Sequence, residues 1–196
     1  RDSTGPANEW SFRRHILHLA TIAKAANADD FLIGTEMVEM TRIRSARSVF
    51  PGVDQLVSLL GEVRTILGAG PKVSYAADWT EWNSYRPNDG TGDLHFHLDK
   101  LWADSRISYV GVDNYVKLAD WRDGETHLDF LKGFSSTYDL NYLRSNVEAG
   151  EDYDFYYASN ADRDNQVRSP ITDGAYNKPW VFRQKDFRNW WANSHV

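Results

Sequence analysis

Three carboxylates follow apolar runs of the sequence at the point where each run ends. The stretches FLIGTE, VSYAAD and ISYVGVD close on Glu36, Asp78 and Asp113. Paired carboxylates cleave glycosidic bonds, because one protonates the leaving oxygen while the other attacks or activates water. An acid that protrudes from an apolar strand end into a cleft has a raised pKa, as a general acid requires, and Glu36 is the candidate. The alternative is a loop glutamate that pairs with Arg42 or Arg44.

The segment YAADWTEW interleaves carboxylates with indoles. Asp78 and Glu81 each stand directly before a tryptophan, Trp79 or Trp82, and Tyr85 follows in the same loop. Carboxylates bond sugar hydroxyls, and indole faces stack on the apolar face of a pyranose. We therefore predict that both acids and both tryptophans bind substrate. The alternative is that the tryptophans fill the gap between sheet and helix while the acids are solvated.

A third candidate segment, VDNYVKLADW, begins at the last of the strand-end acids. Here Tyr115 is positioned to hydrogen-bond a catalytic carboxylate, and Trp121 offers another stacking surface. We predict that Asp113, Tyr115 and Trp121 orient substrate. Asp113 and Asn114 are also typical of residues that bond the backbone of the turn they begin, so a structural role for both stays open.

The segment HFHLD raises the hypothesis of a metal site. On a strand, His95, His97 and Asp99 would share a face, and a His-x-His pair suits zinc. The remaining histidines lie in poor contexts for further ligands, so the sequence predicts ordinary hydrogen-bonded histidines, no metal and no cofactor. A metal-dependent hydrolase remains a third, less favoured hypothesis.

Composition excludes several classes of protein. The net charge of -6 argues against a protein that tracks nucleic-acid phosphates, which needs a basic face. The absence of cysteine excludes disulfides, thiolate metal sites and a cysteine nucleophile. No apolar run approaches the roughly 20 residues that span a bilayer. Because the 196 residues do not begin with Met, we expect a piece of a longer protein, with residues 1–8 as a loose lead-in.

Hydrophobic spacing predicts the elements that position these residues. Strands are expected over 31–36, 73–78 and 107–113, and a further strand over 179–183. A helix is expected where apolar residues recur at helical spacing: Phe12, Ile16, Leu19, Ala20 and Ala23. A second helix is expected directly after Pro51 and Gly52, with a stripe formed by Val53, Leu56, Val57, Leu60, Val63 and Leu67. Further helices are expected around Leu140, Leu143 and Val147 and from about Asp152.

The alternation of strands and helices predicts an α/β fold. Parallel strands with helical cover place the carboxyl ends of the strands at one rim, which is where such folds keep their sites. A doubly wound sheet and a (β/α)8 barrel both fit, but no glycine-rich phosphate turn follows any strand. Since a full barrel needs about 250 residues, we predict a partial (β/α)8 TIM-barrel-like fold in one domain over residues 1–196.

Long motifs along the chain resemble one family. They run from about Trp10 to Trp191 and read FLIGTEM, VFPGVDQL, KVSYAADWTEW, HLDKLWAD, YVGVDNYVKLADWRDG, YDLNYLRSNVEAGEDYDFYYAS, SPITDGA and PWVFRQKDFRNWW. This series resembles the TIM-barrel-like domain of gene transfer agents, part of a large tail or baseplate protein often called the phage host specificity protein. The resemblance implies a (β/α)8 fold similar to that of glycoside hydrolases.

The resemblance also implies roles for particular residues. In glycoside hydrolases of this type, an acid/base glutamate ends the fourth strand and a nucleophilic glutamate ends the seventh. Glu36 corresponds to the first of these, with Thr35 where an Asn usually precedes it. Members of the family continue past RNWW into a strand that ends in a second glutamate, so residues 1–196 alone are expected to lack hydrolase activity.

The implied partners are a cell-envelope glycan and other tail or baseplate proteins, with no nucleic acid and no membrane span. The implied location is the tail of a phage-like particle that is assembled in the bacterial cytoplasm. Two functional hypotheses follow: a module whose full-length parent recognises and cleaves the glycan, and a non-catalytic structural or glycan-binding baseplate module.

Overall fold

The computed structural model describes residues 10–172 and 183–195. The chain divides into two compact units, Arg1–Asn114 and Tyr115–Val196. The lead-in predicted over residues 1–8 lies outside the described residues, as does nearly all of the strand predicted over 179–183. The prediction of a single domain stays a prediction.

The first unit is built from three strands and four helices in its described part. In chain order the elements are α1 (Phe12–Ala25), β1 (Asp30–Thr35), α2 (Val38–Thr41), α3 (Pro51–Leu67), β2 (Lys72–Asp78), α4 (Asp99–Trp102) and β3 (Gly111–Asp113). The strands form one sheet in the order β1-β2-β3, and both neighbouring pairs are parallel. The predicted parallel sheet with helical cover is confirmed. The three strands of this sheet form only part of a barrel, because a closed (β/α)8 barrel has eight strands.

The helical cover of this sheet begins with a capped helix. The Ser11 hydroxyl accepts a hydrogen bond from the Arg14 amide at 3.2 Å, which satisfies one of the free N–H groups at the start of α1. The predicted helix is confirmed, but its buried face is rotated. Leu17 is buried beside Ile16, whereas Leu19 is 38% exposed.

The second long helix, α3, begins earlier than predicted, because Pro51 and Gly52 are its first two residues; proline suits this position because its fixed φ is already helical. Its buried face contains Leu59, which the predicted stripe omitted, while Val57 lies only half-buried. Both long helices pack against each other and against the sheet. The central strand β2 is buried on both faces, from Val73 to Ala77.

The third strand is shorter than predicted. Of the segment 107–113, only Gly111–Asp113 pairs with β2. Before Gly111, the Ser108 amide still donates to the Val73 carbonyl at 2.9 Å, and side chains supply the other contacts: the Ser108 hydroxyl accepts from the Val73 amide at 3.1 Å, and the Ser74 hydroxyl donates to the Tyr109 carbonyl. Glycine is required at position 111, because a Cβ there would lie 2.5 Å from the Tyr75 carbonyl oxygen.

The second unit consists of short elements. They are α5 (Leu128–Leu131), α6 (Leu140–Ser145), β4 (Phe155–Tyr156), α7 (Asn160–Asp164), β5 (Ser169–Pro170) and α8 (Phe187–Ala192), and β4 pairs antiparallel with β5. The predicted helix around Leu140 is present but ends before Val147, which is 54% exposed.

The prediction of a helix from about Asp152 is wrong. Asp152 adopts a φ of +68°, and the Gly150 carbonyl accepts from the amides of Tyr153 and Asp154. This turn leads into β4 at Phe155 and leaves no room for a helix at that point. In neither described range, 10–172 or 183–195, is there a helix long and apolar enough to cross a membrane.

Candidate functional site

The carboxyl ends of the three parallel strands lie together at one edge of the sheet, which we call the acidic edge (Thr35, Glu36, Asp78, Trp79 and Asp113). Thr35 is in register with Ala76 of β2, and Asp78 is in register with Asp113 of β3. The Thr35 hydroxyl donates to the Asp113 carboxylate at 2.8 Å, linking the two outer strands across the end of the sheet. The edge therefore gathers residues that are 78 positions apart in the sequence.

Glu36 lies one residue beyond β1 in a left-handed conformation, with a φ of +49°. Its amide donates to the Ala76 carbonyl at 2.8 Å, which fixes the backbone against β2. The side chain is exposed, and among the described residues its carboxylate has no hydrogen-bond or ion-pair partner. A non-glycine residue in this conformation costs about 1 to 2 kcal/mol, so the strand end holds Glu36 in a strained position.

The predicted alternative for Glu36, a pair with Arg42 or Arg44, does not occur. Arg42 donates to the Thr80 carbonyl at 2.8 Å. Arg44 instead binds the Asp89 carboxylate at 2.5 Å. Both arginines are therefore engaged elsewhere, and the Glu36 carboxylate stays open to solvent.

Asp78 and Asp113 are half-buried, and each already accepts hydrogen bonds from a single threonine. Asp78 accepts from the Thr80 amide at 2.7 Å and from the Thr80 hydroxyl, which closes a tight turn at the end of β2. Asp113 accepts from Thr35 through one oxygen. A carboxylate has roughly four lone-pair sites, so each acid keeps capacity for a further donor. Trp79, directly after Asp78, is half-buried.

Glu81 and Trp82 lie inside the protein. Glu81 is fully buried, and its carboxylate accepts from the Tyr75 hydroxyl at 3.1 Å, from the Asp78 amide at 3.1 Å and from the Thr41 hydroxyl. Burial raises the pKa of the Glu81 carboxyl, although these hydrogen bonds oppose the shift. Trp82 is 1% exposed. Neither side chain offers surface to a ligand in this structure. The hydrogen bonds of Glu81 tie the loop after β2 to Thr41 and Tyr75.

The segment HFHLD does not form the predicted strand with three side chains on one face. Asp99 begins α4, and His95 makes an isolated backbone bridge to Tyr85. His97 is 4% exposed and packs near the rings of Phe50 and Tyr85, at centroid distances of 5.6 and 5.8 Å. Across the described ranges, no three histidine or acidic side chains form a group that could hold a metal ion.

Tyr115 and Trp121 belong to the second unit. Tyr115 is 69% exposed. Trp121 is half-buried and packs edge-on against His127 and Tyr142, with ring centroids 4.3 and 5.5 Å away. Within its own unit, Trp121 therefore contributes to packing and keeps part of its indole accessible.

A buried ionic network in the second unit is the main feature that sequence reasoning missed. Asp120 and Asp129 are 7% and 4% exposed, and the Arg168 guanidinium binds both, at 2.5 and 3.1 Å. Burial alone would raise the pKa of Asp120, but hydrogen bonds from Tyr157 and Arg168 lower it below its ordinary value. The local signal in the sequence is Asp120 beside Trp121, because Tyr157 and Arg168 lie 37 and 48 residues further on.

Comparison with known proteins places the chain in a family. Residues 10–196 match the model of the GTA TIM-barrel-like domain, which covers nearly the whole chain, including both units. A search of curated proteins found no match. The match agrees with the parallel sheet and its helical cover. The chain therefore belongs to the gene transfer agent TIM-barrel-like domain family.

Proposed function

We propose that this domain recognises a cell-envelope glycan at the acidic edge, as part of the tail protein of a gene-transfer-agent particle. Membership of the family supports the particle, and the geometry of the edge supports the ligand. The observation that carries the proposal is the meeting of Glu36, Asp78 and Asp113 at the carboxyl ends of parallel strands. Ligands of α/β proteins bind at such ends.

The chemistry of the edge suits a polyhydroxylated ligand. The exposed Glu36 carboxylate is free to accept hydrogen bonds from sugar hydroxyls, and Asp113 keeps an oxygen that Thr35 does not use. Hydrogen bonds to a charged acceptor contribute about 1.5 to 3 kcal/mol each. Trp79 adds an indole that is half-exposed beside Asp78, and such rings cover the apolar face of a pyranose.

A second candidate function is cleavage of the same glycan, with Glu36 as general acid/base. The observation that favours it is the strained backbone of Glu36, because residues in sparsely populated conformations cluster at active sites. The observation that favours recognition alone is the exposure of its carboxylate, since general acids of glycosidases lie in apolar surroundings.

Co-sedimentation with purified, insoluble envelope polysaccharide tests recognition. The chain should sediment with the polysaccharide, and Asp113→Asn and Trp79→Ala should each weaken binding about ten-fold, which corresponds to about 1.4 kcal/mol. Asn at position 113 still accepts from Thr35, so the fold is kept. The matched control is Glu125→Gln, an exposed acid of the second unit. Equal binding by all four proteins, or no binding by any, would overturn the proposal.

Release of soluble reducing sugar from the same polysaccharide tests cleavage. If Glu36 is catalytic in the full-length parent, Glu36→Gln should abolish release there and leave sedimentation nearly unchanged. Release that persists in that variant would remove Glu36 from the chemistry. Binding without release by the parent itself would establish a recognition module.

A further inference from the structure

The second unit contains a cavity of about 300 Å³ whose wall combines buried charges with aromatic rings. Its lining includes Asp120, Asp129, Glu151, Phe134, Phe155 and Arg168, all within the second unit. We propose that this cavity is a binding site for one uncharged sugar ring or a cyclic polyol of that size. The inference does not depend on the proposal for the acidic edge, because none of these residues belongs to it.

The buried carboxylates of the wall are already neutralised. Asp120 pairs with Arg168 at 2.5 Å and with Arg122 at 2.9 Å. Glu151, which is 5% exposed, pairs with Arg163 at 2.6 Å. Charges that are buried and paired attract a further ion only weakly, while an ion that enters must give up its own hydration.

Asp129 completes this pattern from the other side of Arg168. One of its oxygens accepts from the Arg168 guanidinium at 3.1 Å, and the other accepts from the Tyr142 hydroxyl at 2.6 Å. The Lys132 ammonium lies 3.7 Å away with its side chain 60% exposed. A cationic ligand would therefore meet cations beside every buried acid of the wall, and an anionic ligand would meet the acids themselves. The charge arrangement favours a neutral ligand.

The wall still has unused hydrogen-bonding capacity. Each carboxylate oxygen has two lone pairs, and the oxygens of Asp129 accept one hydrogen bond each. The Ser145 hydroxyl donates to the Tyr142 carbonyl at 2.8 Å and remains an acceptor. The wall therefore offers acceptors to a ligand that supplies hydroxyl groups.

The size and shape of the cavity also limit its ligand. A volume of about 300 Å³ lies at the lower end of the range for small-molecule sites, which fits one ring and not a chain of rings. Phe134 packs against Tyr142 with ring centroids 4.8 Å apart. The Arg168 guanidinium covers one face of Phe155 at 4.2 Å from the ring centroid. Phe134 therefore provides the aromatic surface on which the apolar face of a sugar ring would stack.

Saturation-transfer NMR on the full chain tests the site with three probes of one shape: D-glucose, D-glucuronate and D-glucosamine. We expect glucose to show the strongest transfer, and the two charged analogues to bind about five-fold more weakly or worse. Ala119→Leu, which fills the cavity, should reduce the glucose signal about five-fold. The matched control Ala161→Leu makes the same change at an exposed position of α7 and should leave the signal unchanged.

Several outcomes would overturn the inference. These are no transfer from glucose at tens of millimolar, stronger transfer from either charged analogue, and an unchanged glucose signal in Ala119→Leu. If Ala119→Leu does not fold, as judged by its thermal unfolding, Phe134→Leu decides instead. That variant keeps most of the apolar volume but removes the stacking ring, so an undiminished glucose signal would equally contradict the site.

Discussion

His97 gives the sharpest prediction about stability, because its side chain is buried without a polar partner. Among the described residues, neither ring nitrogen has a hydrogen-bond partner of ordinary geometry. The backbone of His95 acts to raise the pKa of the ring, but it is outweighed by burial. Burial first, and then the positive charge of Arg42, lowers the pKa of His97 to about 3. The folded protein therefore excludes a proton that the unfolded chain binds near pH 6.5.

The magnitude follows from proton linkage. A group whose folded pKa is depressed stabilises the protein above its unfolded pKa and loses that contribution as pH falls. Between pH 7.5 and pH 5, His97 binds a proton only in the unfolded state, so this residue should lower the free energy of unfolding by about 2 kcal/mol. His97→Leu should remove that pH dependence. It should also be neutral or stabilising at pH 7.5, since it replaces an unsatisfied polar group with an apolar one of similar volume.

The assay is urea unfolding of wild type and His97→Leu at pH 7.5 and pH 5. The difference in unfolding free energy between the two proteins should grow by about 2 kcal/mol on acidification. His15→Gln is the control, because it removes a histidine from an exposed position of α1. Parallel pH profiles for wild type and His97→Leu, or a loss of stability in His97→Leu at pH 7.5, would refute the reasoning.

Three further predictions concern the packing around the two candidate sites. Gly52→Ala should destabilise the protein by about 2 kcal/mol or more in thermal unfolding, because the new Cβ would lie 2.2 Å from the Met40 carbonyl oxygen. Gly70→Ala, whose Cβ meets nothing within 4 Å, should be neutral; equal effects would contradict the close approach. Lys185→Met should cost about 2 kcal/mol in urea unfolding, because the buried ammonium donates to two backbone carbonyls at 2.6 Å; a neutral result would show that those carbonyls find other donors. Because burial raises the pKa of Glu81 above its ordinary 4.5, the stability that Glu81 contributes should decrease as pH rises from about 4.5, so the unfolding free energy of wild type should fall relative to that of Glu81→Gln; a difference between the two proteins that does not change with pH would contradict the burial.

The parallel sheet could be predicted from the sequence because its signal is local. Each apolar run is long enough to be buried and stops at a polar residue, and a helix long enough to return the chain connects β1 to β2. The parallel order then brings the strand ends together without further information. The shortening of β3 could not be seen, because the contacts before Gly111, including those of the Ser74 and Ser108 hydroxyls, join residues 35 positions apart.

The second unit was harder to predict because its elements are short and its order comes from side chains. A run rich in tyrosine has the composition of either a strand or a helix, and the left-handed turn at Asp152 decided for the strand. The network of Asp120, Asp129 and Arg168 joins residues up to 48 positions apart. No local pattern indicates such a pairing.

The candidate site shows the same division between local and tertiary information. The position of Glu36 at a strand end followed from the end of an apolar run, although its left-handed backbone did not. Sequence reasoning expected desolvation at Glu36, whereas the fully buried carboxylate is Glu81. Both are acids beside apolar residues, and only the packing of the loop after β2 separates the exposed one from the buried one.

Glycan binding at the acidic edge is tested most directly by the backbone NMR spectrum of the full chain during titration with soluble fragments of envelope glycan. The largest shift changes should occur at the amides of the acidic edge, above all at Glu36, Trp79 and Asp113, and Asp113→Asn should reduce them. Saturable shift changes confined to residues outside the acidic edge, or no change at millimolar glycan, would contradict it.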